Sequence, residues 1–228
     1  MHSGVLSGLH QTWICESESP DVSVFVPMGD HAKESCESLS LALSSDDSPS
    51  CRVICFPVDD WDRDLTPWPA PGVFRNQHFD GCAHATLAHL QDHLFPEYRS
   101  AFNVLAGYSL AGLFSLWALT ASQLFCGAAC CSGSLWYPGF MDYLHSASFP
   151  DPSYVYLSLG DLEEKAKNPI LRTIGDETRK TAELLSQRAE IHWSDLEMNK
   201  GNHFHEPDLR TARGIIQLVH HVHSIEPY

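Results

Sequence analysis

Residues 102–120 read FNVLAGYSLAGLFSLWALT. A mostly apolar run leads into Gly-Tyr-Ser-Leu-Ala, and a strongly apolar run follows at once. This predicts a buried strand turning straight into a buried helix, with Ser109 on the turn. The stretch therefore requires an architecture in which strands and helices alternate.

The rest of the chain supplies that alternation. Strands are expected at about Val22 to Val26, Arg52 to Phe56, Phe102 to Gly107, Phe125 to Cys130 and Tyr154 to Leu159, with a sixth in AEIHWSD. Their apolar runs are more continuous than alternating, as in strands covered on both faces. Helices are expected in HAKESCESLSLAL, from Gly81 to Phe95 with Pro96 as the stop, and from Leu110. Two more are expected, from an N-cap at Asn168 with Pro169 first in the helix, and from about Pro207. SGVLSGLHQTWICESES fits one or two antiparallel edge strands. The expected fold is a single α/β domain spanning 1–228, with a mostly parallel sheet and helices on both faces.

Composition narrows the function. The formal charge is 14 − 29 = −15 with histidine neutral. Such a chain repels phosphate backbones and anionic lipid, so no nucleic-acid or membrane partner is expected. No run approaches the roughly 18 uninterrupted apolar residues of a membrane span. The start shows no basic segment followed by a long apolar one, so no signal peptide is expected. The eight cysteines then point to a reducing cytoplasm rather than a disulfide framework.

Two long aromatic-rich connections interrupt the alternation: PVDDWDRDLTPWPAPGVFRNQHFDG and SGSLWYPGFMDYLHSASFPDPS. Both follow strand C-termini, where open α/β sheets place their ligands. The Ser109 motif is weak alone, but its context suits a nucleophile elbow. Gly107 and Ala111 are small enough for strand and helix to approach closely. The Leu110 N–H would sit at a helix N-terminus, ready to stabilise an oxyanion.

A serine nucleophile needs a base, and the base an orienting acid. In this architecture the chain order is serine, acid, histidine. After the fifth strand comes LSLGDLEEKAKN, offering Asp161, Glu163 and Glu164; after the sixth, NKGNHFHEPDLR offers His203 and His205. Gly201-Asn202 puts His203 on the tight part of its loop, which favours it. Glu163, three residues past Gly160, is the favoured acid, with Asp161 the alternative.

On these segments the chain resembles the α/β-hydrolase superfamily, specifically esterases related to esterase D and the enterochelin-type (iron–siderophore) esterases. The resemblance rests on GYSLAGLFSLWAL, SGSLWYP, SLGDLEEKAKNP and GNHFHEPDLRTARG, together with the WDRDLTPWPAP loop. It implies a serine hydrolase of ester or thioester bonds working through an acyl-enzyme, with Ser109 as nucleophile, His203 as base and Glu163 or Asp161 as acid. The chain departs from the lipase pattern, because VPMGDHAKE lacks an HGGG-type segment. The N–H of Met28 or Gly29 is the candidate second oxyanion donor. No large cap and no N-terminal recognition domain are expected, so a small neutral ester is a more natural substrate than a bulky anionic siderophore.

Trp61, Trp68 and Trp136 are candidates for lining the substrate pocket, while Ser132 and Ser134 are expected to organise their loop. His89 and His93 share a helix face, but without an HExxH pattern no metal site or other cofactor is expected. Cys130 and Cys131 read as small core residues. Two other functions fit the same residues, an acyltransferase on the same triad and a non-catalytic binding module. The oligomeric state stays open.

Overall fold

The apolar runs become strands of one eight-stranded sheet. A computed structural model of the chain describes residues 2–4, 12–16, 20–30, 32–43 and 49–223. In chain order the elements begin β1 (His2–Gly4), β2 (Trp13–Glu16), β3 (Val22–Met28), α1 (Ala32–Ala42), β4 (Arg52–Pro57) and α2 (Trp61–Asp64). A two-residue pair follows, β5 (Ala70–Pro71) and β6 (His78–Phe79), then α3 (Ala83–His89) and α4 (Phe95–Tyr98). The second half comprises β7 (Phe102–Tyr108), α5 (Leu110–Ala121), β8 (Gly127–Cys131), α6 (Phe140–Ser146), β9 (Ser153–Gly160), α7 (Ile174–Ser186), β10 (Ile191–Asn199) and α8 (Pro207–His223).

The sheet runs β1-β2-β4-β3-β7-β8-β9-β10. From β4 to β10 every pairing is parallel, while β1 and β2 add the expected antiparallel edge. Residues 5–11 and 17–19 of that edge segment, and His31 of the first expected helix, lie outside the described residues. Val24 and Val26 pack with Ile215 and Leu218 of α8, while Phe25 packs in the other core with Leu113 and Trp117 of α5. Successive strand residues thus enter opposite cores, which explains the continuous apolar runs. At the edge, β10 is only half-buried and mixes polar with apolar residues.

Two expected boundaries move. The segment expected to stop at Pro96 instead passes through a π-turn at Leu90–Leu94, where the Phe95 N–H reaches the Leu90 carbonyl, and continues to Tyr98. The wider i→i−5 turn leaves room for a proline ring that a regular α-turn would exclude. Asn168 does cap, its Oδ1 accepting from the Ile170 and Leu171 N–H groups. The turn it caps is a 3-10 turn at Leu171–Thr173, and the regular helix begins only at Ile174.

The sheet's C-terminal edge is covered by residues 58–82, 132–152 and 161–173. Among the described residues none of these segments forms a large cap, and no helix is long and apolar enough to cross a membrane.

Candidate active site

Ser109 joins β7 to α5 with φ 59° and ψ −123°, a left-handed backbone rare for a residue with a Cβ. The strain is held from both sides. The Ser109 N–H donates to the Cys131 carbonyl at 3.1 Å, and its own carbonyl accepts from the Ser134 N–H at 3.0 Å. A Cβ at Gly107 would lie 2.4 Å from the Ala111 carbonyl carbon, so only glycine lets strand and helix meet here. Gly107→Ala is expected to cost about 2–3 kcal/mol of stability, read by urea unfolding. A variant as stable as wild type would contradict this packing.

Glu163 sits just past the end of β9 with its side chain 4% exposed. Its Oε1 accepts from the Gly160 N–H at 2.7 Å, the Ser132 hydroxyl at 2.7 Å and Arg210 Nη1 at 3.1 Å. Its Oε2 faces His203 Nδ1 at 2.7 Å. Burial pushes this carboxyl up, but hydrogen bonds and charge from His203, with help from Ser132 and Gly160, outweigh that and hold it below the usual range. Gly160 is a glycine for space: a Cβ there would lie 2.4 Å from the Gly201 carbonyl oxygen.

Asp161 points elsewhere. It accepts from the Gly201 N–H at 2.9 Å and from Lys200 Nζ at 3.2 Å, and these bonds lower its pKa. It therefore braces the start of the histidine loop. The other loop histidine, His205, faces Glu206 at 3.4 Å.

His203 stands between acid and serine, with Nε2 3.0 Å from Ser109 Oγ. Because an ionised Glu163 can only accept, the network assigns a proton to Nδ1 and leaves the Nε2 lone pair for the serine hydroxyl. The Tyr108 hydroxyl donates to the His203 carbonyl at 2.8 Å and fixes the loop backbone. This geometry can withdraw the serine proton and return it to a leaving group.

Ser109 opens onto a cavity of about 880 Å³. Trp61, Val73, Phe74, Phe79, Trp136 and Leu171 give it an apolar wall, with Lys165 and Lys167 also on its lining. Of the three candidate tryptophans, Trp61 and Trp136 line this cavity. Trp68 is not on this wall. Its Nε1 donates to the Pro138 carbonyl at 2.9 Å, and its ring packs on Tyr137, Phe140 and Tyr143, so it pins the two long connections together. Leu110 lines the cavity at the start of α5, where the first N–H groups have no partner within the helix. Met28 and Gly29 do not line it. Gly29 lies in a neighbouring depression that shares Trp61 and Asp62 with the cavity.

Ser132 and Ser134 are closer to Ser109 and Glu163 than expected. Ser134 Oγ is 3.4 Å from Ser109 Oγ, and Ser132 bonds the acid directly. Burial pushes the Cys130 thiol up and the Cys131 thiol up to about 12, which leaves both protonated and poorly nucleophilic at neutral pH. The His89 and His93 rings lie 4.9 Å apart, and among the described residues no group of three metal-binding side chains occurs.

No family model and no curated protein matches the sequence. Solved structures do match. An IroE-like serine hydrolase from Shewanella oneidensis aligns with a TM-score of 0.74 at 17% identity, over 93% of this chain and 75% of its own. The siderophore hydrolase EstA from Aspergillus nidulans aligns with a TM-score of 0.73 at 15% identity, over 96% and 94%. The enterobactin and salmochelin hydrolase IroE aligns with a TM-score of 0.62 at 15% identity, over 92% and 88%. At such identities the likeness is one of fold: this chain has the α/β-hydrolase fold, in the form also adopted by these siderophore hydrolases.

Proposed function

We propose that this protein is a serine esterase in which Ser109, His203 and Glu163 act as a catalytic triad. The observation that carries the reading is the pair of contacts made by one imidazole, 3.0 Å to the serine hydroxyl and 2.7 Å to a buried carboxylate. Ser109 Oγ attacks the ester carbonyl carbon while its proton passes to His203 Nε2. The Leu110 N–H stabilises the tetrahedral oxyanion. Collapse breaks the bond to the alkoxy oxygen, which takes the proton from Nε2 and leaves as the alcohol. Water then attacks the acyl-enzyme, giving its proton to Nε2, and collapse returns that proton to Ser109 with release of the carboxylic acid.

The apolar wall favours esters with a neutral aliphatic or aromatic group. Phe74, 61% exposed on that wall, contributes contact area that ground state and transition state share. Phe74→Ala is expected to raise KM about three- to tenfold for a naphthyl ester with kcat unchanged. A fall in kcat at constant KM would contradict that role. Lys165 and Lys167 favour a second reading, an ester carrying an anionic group, in keeping with the siderophore hydrolases among the structural neighbours. Matched neutral and carboxylate-bearing esters separate the two by kcat/KM.

The test is a fluorophosphonate probe together with short-chain p-nitrophenyl esters. Labelling and hydrolysis by wild type, both lost in Ser109→Ala, support the reading. A wild-type protein that neither labels nor hydrolyses would instead be a binding module.

A further inference from the structure

Arg210 lies on the inward face of α8 with its side chain 3% exposed. A fixed positive charge is seldom buried so completely, and a guanidinium cannot shed its proton to relieve the cost. Its contacts supply a reason. Nη1 lies 3.1 Å from Glu163 Oε1, 3.2 Å from Ser132 Oγ and 3.0 Å from the Tyr108 hydroxyl, while Nη2 donates to the Lys200 carbonyl at 2.7 Å.

These contacts reach every part of the site. Lys200 leads into the histidine loop, Glu163 is the acid, and Tyr108 is the residue before the nucleophile. The polarity is consistent throughout. The Tyr108 hydroxyl accepts from Arg210 and donates to the His203 carbonyl, and the Ser132 hydroxyl accepts from Arg210 and donates to Glu163. Glu163 Oε1 is thereby saturated by three donors, which leaves Oε2 for the imidazole.

We propose that Arg210 is the positioning residue of this site, a buried guanidinium that aims Glu163 Oε2 at His203 and locks the histidine loop onto the nucleophile strand. This rests on the esterase reading above for its kinetic consequences, though not for its structural ones. Arg210 touches neither Ser109 nor the cavity, so it acts through Glu163 and His203. A lysine would keep the charge but lacks the planar fork that spans Lys200, Tyr108 and Glu163 together. The charged and titratable groups facing Glu163 are His203, Arg210 and Tyr108. The Asp161 and Lys200 side chains pair with each other outside this network, and Glu164 turns to Arg179.

The experiment compares wild type with Arg210→Met, Arg210→Lys and Tyr108→Phe, with kcat and KM expressed per site titrated by fluorophosphonate. Arg210→Met is expected to lose on the order of 100-fold in kcat with little change in KM. The acid limb of its pH profile should move up, because removing a buried cation makes it easier to protonate the acid and base that it faces. Arg210→Lys should keep the limb near the wild-type position yet lose about tenfold in kcat. Tyr108→Phe removes the hydroxyl that links Arg210 to the His203 carbonyl and should lose several-fold in kcat with the limb unmoved. Added guanidinium ion should restore part of the activity of Arg210→Met.

Proton NMR supplies a readout that needs no turnover: the far-downfield resonance of His203 Nδ1–H bonded to Glu163, present in wild type and displaced or lost in Arg210→Met. Should Arg210→Met fail to fold, as circular dichroism would show, Arg210→Lys and Tyr108→Phe carry the test. Wild-type kcat per titrated site, an unmoved limb and an unchanged resonance in the folded variants would overturn the proposal. An unlabelled wild type whose resonance still depends on Arg210 would overturn the esterase reading and leave the positioning role standing.

Discussion

Ser109→Ala is expected to lower kcat for a p-nitrophenyl ester by a factor on the order of 10⁴ to 10⁶, with KM nearly unchanged. The size follows from the mechanism. In the proposed mechanism the serine oxygen forms the covalent bond, and the remaining site would supply an oxyanion donor and an apolar cavity. The fold should tolerate the change, because the elbow is held by backbone bonds from Cys131 and Ser134 rather than by the serine hydroxyl. Alanine at this left-handed position should cost at most about 1 kcal/mol in either direction. Steady-state rates with an unfolding curve on the same sample check both statements. His203→Ala should lose a similar factor, and the double variant little more, since the two residues act as one unit.

Glu163→Gln is the second large effect, a loss in kcat on the order of 10³ to 10⁴. A glutamine preserves shape but can present an amide N–H to His203 Nδ1, favouring the tautomer that turns an N–H toward Ser109. Asp161→Asn should change kcat by less than about fivefold, because the Asp161 carboxylate bonds Lys200 and Gly201 near the surface and not His203. Comparable losses in the two variants would contradict the assignment. Glu163 also links stability to acid. Its folded carboxyl lies below its ordinary value, so its native contacts stabilise the protein fully above the unfolded glutamate value of about 4.3. That stabilisation is lost as pH falls through the lower folded value, and Glu163→Gln should flatten this limb of the stability curve.

The parallel strands and the elbow were legible because their signal is local. A buried parallel strand shows as an unbroken apolar run, and the elbow needs small residues at fixed offsets, here Gly107 and Ala111. Ser109, Glu163 and His203 could be singled out in that order because they follow the ends of β7, β9 and β10. Other features depend on what meets across the fold. Trp68 looks like a pocket residue in sequence, yet its indole N–H is satisfied by Pro138 from a loop 70 residues away. Met28 and Gly29 lie at the end of β3, but the cavity is lined there by Trp61, which sits beside Gly29. Arg210 had a readable signal. Its spacing of four and eight residues from Gly214 and Leu218 sets an arginine in the buried stripe of α8, and a charge in such a row asks for a partner. Ser132 gave no such signal, because its bond to Glu163 exists only once β8 and β9 lie side by side.

The central claim is that the Ser109 hydroxyl, activated by His203, forms a covalent intermediate. Intact-mass analysis and peptide mapping of the fluorophosphonate-treated protein test it directly. The account predicts a single adduct per chain on the peptide carrying Ser109, absent from Ser109→Ala and formed far more slowly by His203→Ala. An adduct on any other residue, or none on a folded wild-type protein, would contradict it.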